Sequence, residues 1–374
     1  MPSWLKEGRG SLCGANVSLL LREMGITKPL LVAGERTKNV FFARTGMRLP
    51  VFDAFHPNPD LQDCVAGAAL YQEKGCDGLI SIGGGSAMDT AKGIKALLMT
   101  DIAHVRANQL PSEGNVPHLA IPGTAGTGAE TTAVAVLYEN GQKLSVDHPA
   151  LLPDGVLLDG SLLDTLPEYH RKSCAMDALA QGIESWWAKK ATPGSRIHAE
   201  CAIRGVLDNL TAYLQGDRKA QDEMLHAAYE SGVAILTTRT TAAHAMSYQI
   251  TKKLGAAHGH ACMLTLPHLW AHLAAQAEYQ PMLTELSRLL GGEKPMDGAI
   301  LLKGLLAVLE LDKIPMPDDA TLDMLAASVN PERLGNHPEV LTTAQLRAIY
   351  VQAFTPMTDT ERAEAIAAWE QYGK

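Results

Sequence analysis

The chain has 374 residues, of which 46% are hydrophobic and 20% are charged, and its formal net charge is −9. This composition is typical of a soluble globular protein, and the length is sufficient for two domains. The acidic balance argues against a nucleic-acid partner, and no apolar run approaches the roughly 18 residues that a membrane span requires. The N-terminal segment lacks the apolar core of a signal peptide, and the six cysteines form no C-x-x-C pair. We therefore expect a cytoplasmic protein with reduced thiols.

The first half of the sequence alternates short β-rich runs with helical runs. Strands that are separated by helices of roughly 10–15 residues imply βαβ units and a parallel sheet. We predict strands over 29–34, 49–55, 77–82, 117–122 and 154–159, and helices over 60–75 and 88–99.

The strand signal ends near residue 165, and long amphipathic runs follow. Pro153 and Pro167, with the Asp and Gly residues between them, mark the boundary. We therefore predict an α/β nucleotide-binding domain over residues 1–163 and an all-α domain over residues 164–374. The helical runs of the second domain are 172–190, 195–214, 219–252 and 342–371.

Two glycine-rich turns follow predicted strands. The first, GGGS at 83–86, precedes a helix, and its bare glycines allow a pyrophosphate to approach the backbone and the helix N-terminus. Ser86 and Asp89 also fit a capping box, a structural interpretation that is compatible with phosphate binding nearby. The second turn, at 121–132, follows the next strand. The G-x-G-x-x-G fingerprint is absent, but two such turns at the carboxyl ends of parallel strands together predict a nucleotide site.

The segment 240–261 contains His244, His258 and His260. Histidine is a mediocre helix former and a good metal ligand. Two interpretations compete, a metal site and a set of unrelated structural histidines, and the spacing of the residues leaves both open.

Four motifs occur in an order and spacing that resemble those of the iron-containing (group III) alcohol dehydrogenases. They are GGGSAMDTAK (83–92), PGTAGTGAETT (122–132), MDALAQGIES (176–185) and HAMSYQITKKLGAAHGHA (244–261). The resemblance implies an α/β Rossmann-like NAD(P)-binding domain followed by an all-α metal-binding domain, the dehydroquinate synthase-like fold. It also implies reversible hydride transfer between NAD(P)H and a small aldehyde, promoted by a divalent metal.

The resemblance further implies a set of metal ligands. Family members use an Asp, a His four residues later, and two more His that are fourteen residues apart. Asp177, His244 and His258 match three of these positions, but Gln181 stands where the family has its first His. An amide oxygen is a weaker donor to a transition metal than imidazole. Three arrangements remain open: Gln181 coordinates weakly, water takes its place, or no metal binds. The expected metal is Fe²⁺, with Zn²⁺ as the alternative.

The expected nucleotide is NADPH or NADH. NAD-selective folds usually place an acidic residue after the second strand, whereas this chain has Gly34 there. The missing charge, with Arg36 or Lys38 nearby, favours a 2′-phosphate and hence NADPH, and Glu35 opposes it. The residues expected to bind the cofactor are Gly34, Gly84, Gly85, Ser86, Asp89, Thr124, Thr127 and Lys143.

The expected catalytic side chains are Tyr248 and His260, which could relay a proton to the substrate. Tyr248 lies one turn after His244, where many relatives have another active-site histidine. A core-packing role for Tyr248 and a structural role for His260 are the alternatives.

The expected substrate is a small aldehyde or alcohol with an anionic tail. Gln181 and the segment TTAAHAMSY (240–248) look most like the phosphonoacetaldehyde reductase (2-hydroxyethylphosphonate dehydrogenase) subgroup. Arg239 and Thr241 precede His244 and would suit a phosphonate or sulfonate, since charge-assisted bonds to arginine are strong. The alternative is that Arg239 is a solvated charge on the helix surface.

Three other functions are open: a general short-chain alcohol dehydrogenase, a non-redox lyase of the dehydroquinate synthase type, and a metal-free nucleotide-binding protein of the same fold. The lyase type normally carries Glu at the first metal position, so Asp177 argues against it. We expect a homodimer with no nucleic-acid or membrane partner.

Overall fold

The computed structural model describes residues 6–112 and 116–372. The chain divides into two compact units, Met1–Thr165 and Leu166–Lys374. The division falls two residues after the boundary at 163 that the sequence suggests. The first unit is α/β and the second is helical, which confirms the predicted fold class.

In its described residues, the first unit contains eight strands, five α-helices and three short 3₁₀ turns. The strands are β1 (Lys6–Arg9), β2 (Pro29–Ala33), β3 (Val51–Phe52), β4 (Gly78–Gly83), β5 (His118–Pro122), β6 (Val134–Glu139), β7 (Gln142–Asp147) and β8 (Gly155–Leu158). The helices are α1 (Gly14–Glu23), α2 (Glu35–Thr45), α3 (Leu61–Lys74), α4 (Gly85–Met99) and α5 (Ile102–Arg106). The 3₁₀ turns are Ala129–Thr131, Pro149–Leu151 and Gly160–Leu163.

Six of these strands form one parallel sheet in the order β1-β8-β5-β4-β2-β3. In the pair β4 and β5, Ser81 lies opposite Ala120, and every residue of both strands is buried. Burial on both faces explains why these strands are nearly continuous apolar runs rather than alternating ones. The strands β6 and β7 form a separate antiparallel hairpin, with Val134 opposite Asp147.

Alternate residues of β2 enter two different cores, because successive side chains of a strand point to opposite faces of the sheet. Leu30 packs in a cluster with Ile94 of α4. Leu31, the next residue, packs in a cluster with Phe41 of α2. Helices therefore cover both faces of the sheet, as is usual for parallel strands joined by βαβ crossovers.

Two predicted elements of this unit differ from the structure. The strand predicted over 49–55 is paired only at Val51 and Phe52, because it lies at the edge of the sheet and has β2 as its single neighbour. The helix predicted over 88–99 begins at Gly85, because the chain passes directly from the glycine turn into α4.

The described residues of the second unit form eleven α-helices and one π-helical turn, Ile250–Leu254. The helices are α6 (Glu168–Trp187), α7 (Pro193–Leu214), α8 (Arg218–Thr238), α9 (Ala242–Gln249), α10 (His258–Ala274), α11 (Gln280–Leu289), α12 (Asp297–Val308), α13 (Asp319–Ala327), α14 (Pro331–Leu334), α15 (Thr343–Phe354) and α16 (Asp359–Tyr372). No helix within 6–112 or 116–372 has both the length and the apolar character that crossing a membrane would take.

Two of the predicted helical runs are interrupted. The run 219–252 breaks after α8, because Arg239 adopts a φ of 62°, outside the right-handed helical region. The run 342–371 breaks between α15 and α16, where Thr355 is extended. Thr355 precedes Pro356, and proline disfavours the helical conformation of the residue before it.

The helices α6 and α10 approach each other very closely at Gly259. A Cβ atom on Gly259 would lie 2.0 Å from the carbonyl oxygen of Ser173 and 2.6 Å from the backbone nitrogen of Asp177, both in α6. The next residue of α10, His260, donates its backbone N–H to Ser173 Oγ at 3.1 Å. The side chain of residue 259 must therefore be absent for the first turn of α10 to lie against α6.

We expect Gly259→Ala to lower the free energy of unfolding by about 1–3 kcal/mol, because an inserted methyl forces backbone apart in a close-packed region. The matched control is Gly194→Ala in α7, whose Cβ would come no closer than 3.9 Å to Thr192 Oγ1. Thermal unfolding followed by circular dichroism measures both variants. Equal unfolding temperatures for the two variants would contradict the steric argument.

Candidate functional site

The carboxyl ends of β2 and β4 form a pocket in the first unit. Its volume is about 340 Å³, and the residues that line it include Gly34, Glu35, Arg36, Gly84, Gly85 and Ser86. Ligands of open α/β sheets commonly bind outside the carboxyl ends of the strands. Four of the residues expected to bind the cofactor, Gly34, Gly84, Gly85 and Ser86, therefore lie together in a pocket of the expected kind.

The glycine turn exposes the start of α4 to this pocket. Gly83 has a φ of 149°, which side-chain-bearing residues rarely adopt. Gly84 is the N-cap of α4 and no side chain caps the helix, so the predicted capping box of Ser86 and Asp89 is wrong. The helix begins one residue before Ser86, and Ser86 Oγ instead accepts the backbone N–H of Asn58 at 3.3 Å. An N-terminus without a side-chain cap suits the binding of phosphate.

The remaining expected cofactor residues lie in two places. Thr124 and Thr127 contact the turn, since Cβ atoms on Gly84 and Gly85 would lie 3.2 Å and 3.5 Å from their respective methyl carbons. Asp89 and Lys143 interact electrostatically with each other and are not among the residues that line the pocket. Burial raises the pKa of Asp89 to about 6, although Lys92, the Val136 N–H and Lys143 favour the carboxylate.

The basic residues after β2 already have partners. Lys38 Nζ lies 2.6 Å from Glu35 Oε2 and 2.6 Å from Asp53 Oδ2. Arg36 lines the pocket and donates to the hydroxyl of Thr165. Gly34 contributes no charge, and a Cβ built on it would meet nothing within 4 Å.

Four potential metal ligands converge in the second unit. One donor atom from each of Asp177, His244, His258 and Cys262 lies within 4.8 Å of the others. His244 Nε2 is 3.2 Å from Asp177 Oδ1, and His258 Nε2 is 3.9 Å from the same oxygen. Three of the four residues are buried, whereas 37% of the His258 side chain is exposed. The structure thus brings together three of the four predicted ligands and adds a cysteine.

Hydrogen bonds to the outer nitrogens orient both imidazoles. His244 Nδ1 donates to Glu184 Oε2, a carboxylate oxygen that can only accept. Ser247 uses its hydroxyl hydrogen on the carbonyl of His244 at 2.9 Å, so its oxygen can accept from His258 Nδ1 at 3.3 Å. When a cation binds, each ring can therefore keep its proton on Nδ1 and present the lone pair of Nε2 to the ion.

Glu184 is completely buried and accepts two further hydrogen bonds. Its Oε1 accepts from the Thr241 hydroxyl at 2.6 Å and from the Ala243 N–H at 2.7 Å. Thr241 Oγ1 in turn accepts from Trp187 Nε1 at 3.0 Å. Glu184 therefore ties α6 to the start of α9 and fixes the ring of His244.

The charges in the cluster fit a divalent transition metal. Burial opposes ionisation of Asp177, but His258 and His244 outweigh it and lower its pKa. Burial likewise opposes ionisation of the Cys262 thiol, but His244 and His258 lower its pKa to about 7. Imidazole nitrogen, thiolate sulfur and carboxylate oxygen are the usual protein donors to zinc, and imidazole with carboxylate also suits iron.

Reasoning from the sequence missed Cys262. The available signal was its position four residues after His258 at the start of a helix, because residues i and i+4 lie on the same helix face. Cys262 Sγ lies 3.9 Å from His258 Nε2.

Gln181 lies one turn beyond Asp177 in α6 and is buried. Its side-chain oxygen accepts a hydrogen bond from Ser231 Oγ of α8 at 2.7 Å. This amide oxygen is the atom through which Gln181 would coordinate a metal in the arrangement predicted from the sequence.

The two expected catalytic side chains have different surroundings. The Tyr248 ring centroid lies 6.0 Å from that of His258, which places the phenol beside the cluster. His260 Nε2 donates to the Leu311 carbonyl at 2.8 Å, and its Nδ1 accepts from Tyr169 Oη at 3.1 Å. Because both ring nitrogens of His260 join helices and loops of the core, the structural interpretation of this residue is favoured.

The two expected substrate residues also make internal contacts. Arg239 donates through Nη1 to the carbonyl of Leu236 at 2.8 Å, near the end of α8. The Thr241 hydroxyl lies in the network of Glu184 and is completely buried. A second arginine lies beside Tyr248: the Arg333 guanidinium carbon is 5.4 Å from the centroid of the Tyr248 ring.

The sequence matches a family model for iron-containing alcohol dehydrogenase over residues 3–160 and one for the C-terminal part of the Fe-containing alcohol dehydrogenase family over residues 172–354. An NAD-dependent methanol dehydrogenase from Bacillus methanolicus is 30% identical over 299 residues, 75% of this chain and 77% of the relative. A phosphonoacetaldehyde reductase from Streptomyces viridochromogenes is 36% identical over 228 residues, 57% of this chain and 58% of the relative. With several of the curated relatives, the chain matches less than two thirds of the relative's length.

Among solved structures, the sulfoacetaldehyde reductase from Bifidobacterium kashiwanohense in complex with NAD⁺ is similar with a TM-score of 0.85. It is 26% identical, and the match covers 95% of this chain and 97% of that one. The family models together cover both units, and the methanol dehydrogenase aligns over most of its length. The chain therefore belongs to the iron-containing alcohol dehydrogenase family.

Proposed function

We propose that this protein is a metal-dependent aldehyde reductase that uses NAD(P)H and acts on a small aldehyde with an anionic tail. The reaction converts the aldehyde, NAD(P)H and one proton to the primary alcohol and NAD(P)⁺. The observation that carries the proposal is the convergence of Asp177, His244 and His258, whose candidate donor atoms lie within 4.8 Å of one another. The glycine turn of α4 supports the nucleotide part.

When bound, a divalent ion supplies Lewis-acid polarisation of the carbonyl oxygen, and the nicotinamide supplies the hydride. Asp177 holds its negative charge in a buried position, where it favours a cation. Glu184 keeps the proton of His244 on Nδ1 and so keeps Nε2 available as a donor. The exposed side of His258 leaves room for substrate on that side of the cluster.

Tyr248 is the proposed proton donor to the reduced oxygen. Its ring lies beside His258, and the Arg333 guanidinium carbon lies 5.4 Å from the centroid of the same ring.

Arg333 also provides a cation for the substrate tail. It lies over Tyr248, and its Nη1 approaches Thr240 Oγ1 at 3.5 Å. Arginine binds phosphonate and sulfonate groups through paired hydrogen bonds. The names of two relatives, phosphonoacetaldehyde reductase and sulfoacetaldehyde reductase, agree with this assignment. Arg239 remains the second candidate for this role.

We expect the purified protein to reduce phosphonoacetaldehyde or sulfoacetaldehyde with a kcat/KM at least about tenfold above that for propanal. Loss of a hydrogen bond to a charged group costs about 1.5–3 kcal/mol, so Arg333→Ala should lower kcat/KM for the anionic aldehydes by about 10–100-fold. Propanal should be affected far less. The rate of NADPH consumption is measured with each of the three aldehydes. Arg239→Ala is assayed in parallel.

The control for this comparison is Arg196→Ala. Arg196 also stacks on an aromatic ring, 5.6 Å from the centroid of Trp186, but α7 contributes no ligand to the cluster. Equal efficiency on anionic and neutral aldehydes in the wild type would refute the anionic tail and favour a general short-chain alcohol dehydrogenase.

We expect Gly34→Asp to shift the enzyme from NADPH towards NADH. The new carboxylate would repel a 2′-phosphate and accept hydrogen bonds from a free ribose hydroxyl. The difference in activation free energy that corresponds to the ratio of kcat/KM for the two cofactors should change by about 1–3 kcal/mol. Gly34→Ala is the matched control, because a methyl group there meets no atom within 4 Å. A wild type that already prefers NADH strongly would contradict the assignment.

We expect Glu184→Gln to weaken metal binding by about 10–100-fold, because the amide cannot hold the His244 Nδ1–H as a carboxylate does. Glu230→Gln is the matched control, since Glu230 also accepts from histidines, with Oε2 2.6 Å from His198 Nδ1, but lies outside the cluster. Competition with a chelator measures the affinity, and circular dichroism verifies the fold. A folded Glu184→Gln protein with wild-type affinity would refute the positioning role.

A further inference from the structure

We infer that the thiolate of Cys262, and not Gln181, is the fourth protein ligand of the metal, and that this donor set selects Zn²⁺ over Fe²⁺. The inference rests on the proposed function, since it specifies the metal site on which that function depends. It departs from the ligand pattern implied by the sequence, in which residue 181 occupies the fourth position.

The position of Cys262 on α10 supports this assignment. His258 and Cys262 are the first and fifth residues of the helix and therefore face the same direction, about one turn apart. Gly259 lets this first turn lie against Asp177, so both side chains reach the carboxylate. Cys262 is completely buried, so it is not a surface thiol.

The distances fit a tetrahedral ion. Zinc–nitrogen and zinc–oxygen bonds of about 2.0–2.1 Å place two such donors about 3.3 Å apart, and a zinc–sulfur bond of about 2.3 Å places sulfur and nitrogen about 3.6 Å apart. The observed separations are 3.2 Å for His244 Nε2 to Asp177 Oδ1, and 3.9 Å for Cys262 Sγ to His258 Nε2. His258 Nε2 and Asp177 Oδ1 are 3.9 Å apart, and all four donor atoms lie within 4.8 Å of one another, so a bound ion would draw the donors closer together.

Gln181 is a poorer candidate for the fourth ligand. Its side-chain oxygen already accepts the Ser231 hydroxyl at 2.7 Å. Ser231 also contacts the carbonyl of Ala228 at 2.8 Å within its own helix. The amide oxygen is thus held towards Ser231 of α8, whereas Cys262 Sγ already lies 3.9 Å from the Nε2 atom of His258, a predicted ligand.

The donor types favour zinc. Thiolate is a soft ligand that selects zinc over the harder divalent ions, whereas iron sites of the oxidoreductase type rely on imidazole and carboxylate. Replacing a neutral amide with a thiolate also adds a second negative charge beside Asp177. Zinc can accept a fifth donor during a reaction, so four protein ligands are compatible with the proposed chemistry.

The test uses the full chain loaded with Co²⁺, which reports sulfur ligation through a thiolate-to-cobalt charge-transfer band in the near ultraviolet. We expect the band in the wild type and in Gln181→Met, and its loss in Cys262→Ser. Zinc affinity of Cys262→Ser, measured by chelator competition, should fall by more than about tenfold. X-ray absorption of the Zn²⁺ protein should show one sulfur at about 2.3 Å.

Cys174→Ser is the matched control, because Cys174 lies in α6 three residues before Asp177 but outside the cluster. It should retain the band and the zinc affinity. A protein that binds Co²⁺ without a sulfur band, or whose band survives Cys262→Ser, overturns the inference and leaves the proposed reductase intact. Absence of any metal binding overturns both, whereas a sulfur band with no reductase activity overturns the proposed function alone.

Discussion

The contact between α6 and α10 at Gly259 is the constraint on which the metal cluster depends. Asp177 belongs to α6, and His258 belongs to the first turn of α10. Any side chain at residue 259 would push the two helices apart, because its Cβ atom would lie 2.0 Å from the opposing backbone. Gly259, which has no side chain, therefore determines how closely Asp177 and His258 approach each other.

Buried hydrogen bonds then fix which ring nitrogen of each histidine faces the cluster. A histidine close to a metal can present either nitrogen, and the partner of the other nitrogen decides which. Glu184 binds Nδ1 of His244, and the hydroxyl of Ser247 binds Nδ1 of His258, so Nε2 of each ring faces the cluster. Because Glu184 also binds the Thr241 hydroxyl and the Ala243 backbone, the orientation of His244 is coupled to the chain break that follows α8.

The sequence predicted the features that depend on local patterns. Continuous apolar runs predicted the buried strands β4 and β5, and the glycines of 83–85 predicted a turn at the carboxyl end of β4. The spacing of His244 and His258 identified two members of the cluster through the family resemblance. The predicted start of α4 at residue 88 was wrong, because capping patterns do not reveal where a glycine turn ends and the helix begins at Gly85.

Other features depend on contacts between distant residues, which no local pattern records. The bond of Ser231 to Gln181 joins residues 50 positions apart, and Arg333 reaches Tyr248 from another helix. The break at Arg239 required a positive φ at an arginine, which sequence patterns do not predict. Cys262 was predictable in principle from its spacing to His258, but a lone cysteine in an apolar helix is usually a core residue.

The unequal exposure of the four clustered side chains has a kinetic consequence. Asp177, His244 and Cys262 are buried, and His258 alone is open to solvent on part of its ring. In the proposed reaction, an ion would enter and leave on the exposed side of His258, where the substrate would also bind. A bound carbonyl compound would then slow the exchange of the ion with external chelators, so that occupancy by substrate protects the enzyme from demetallation.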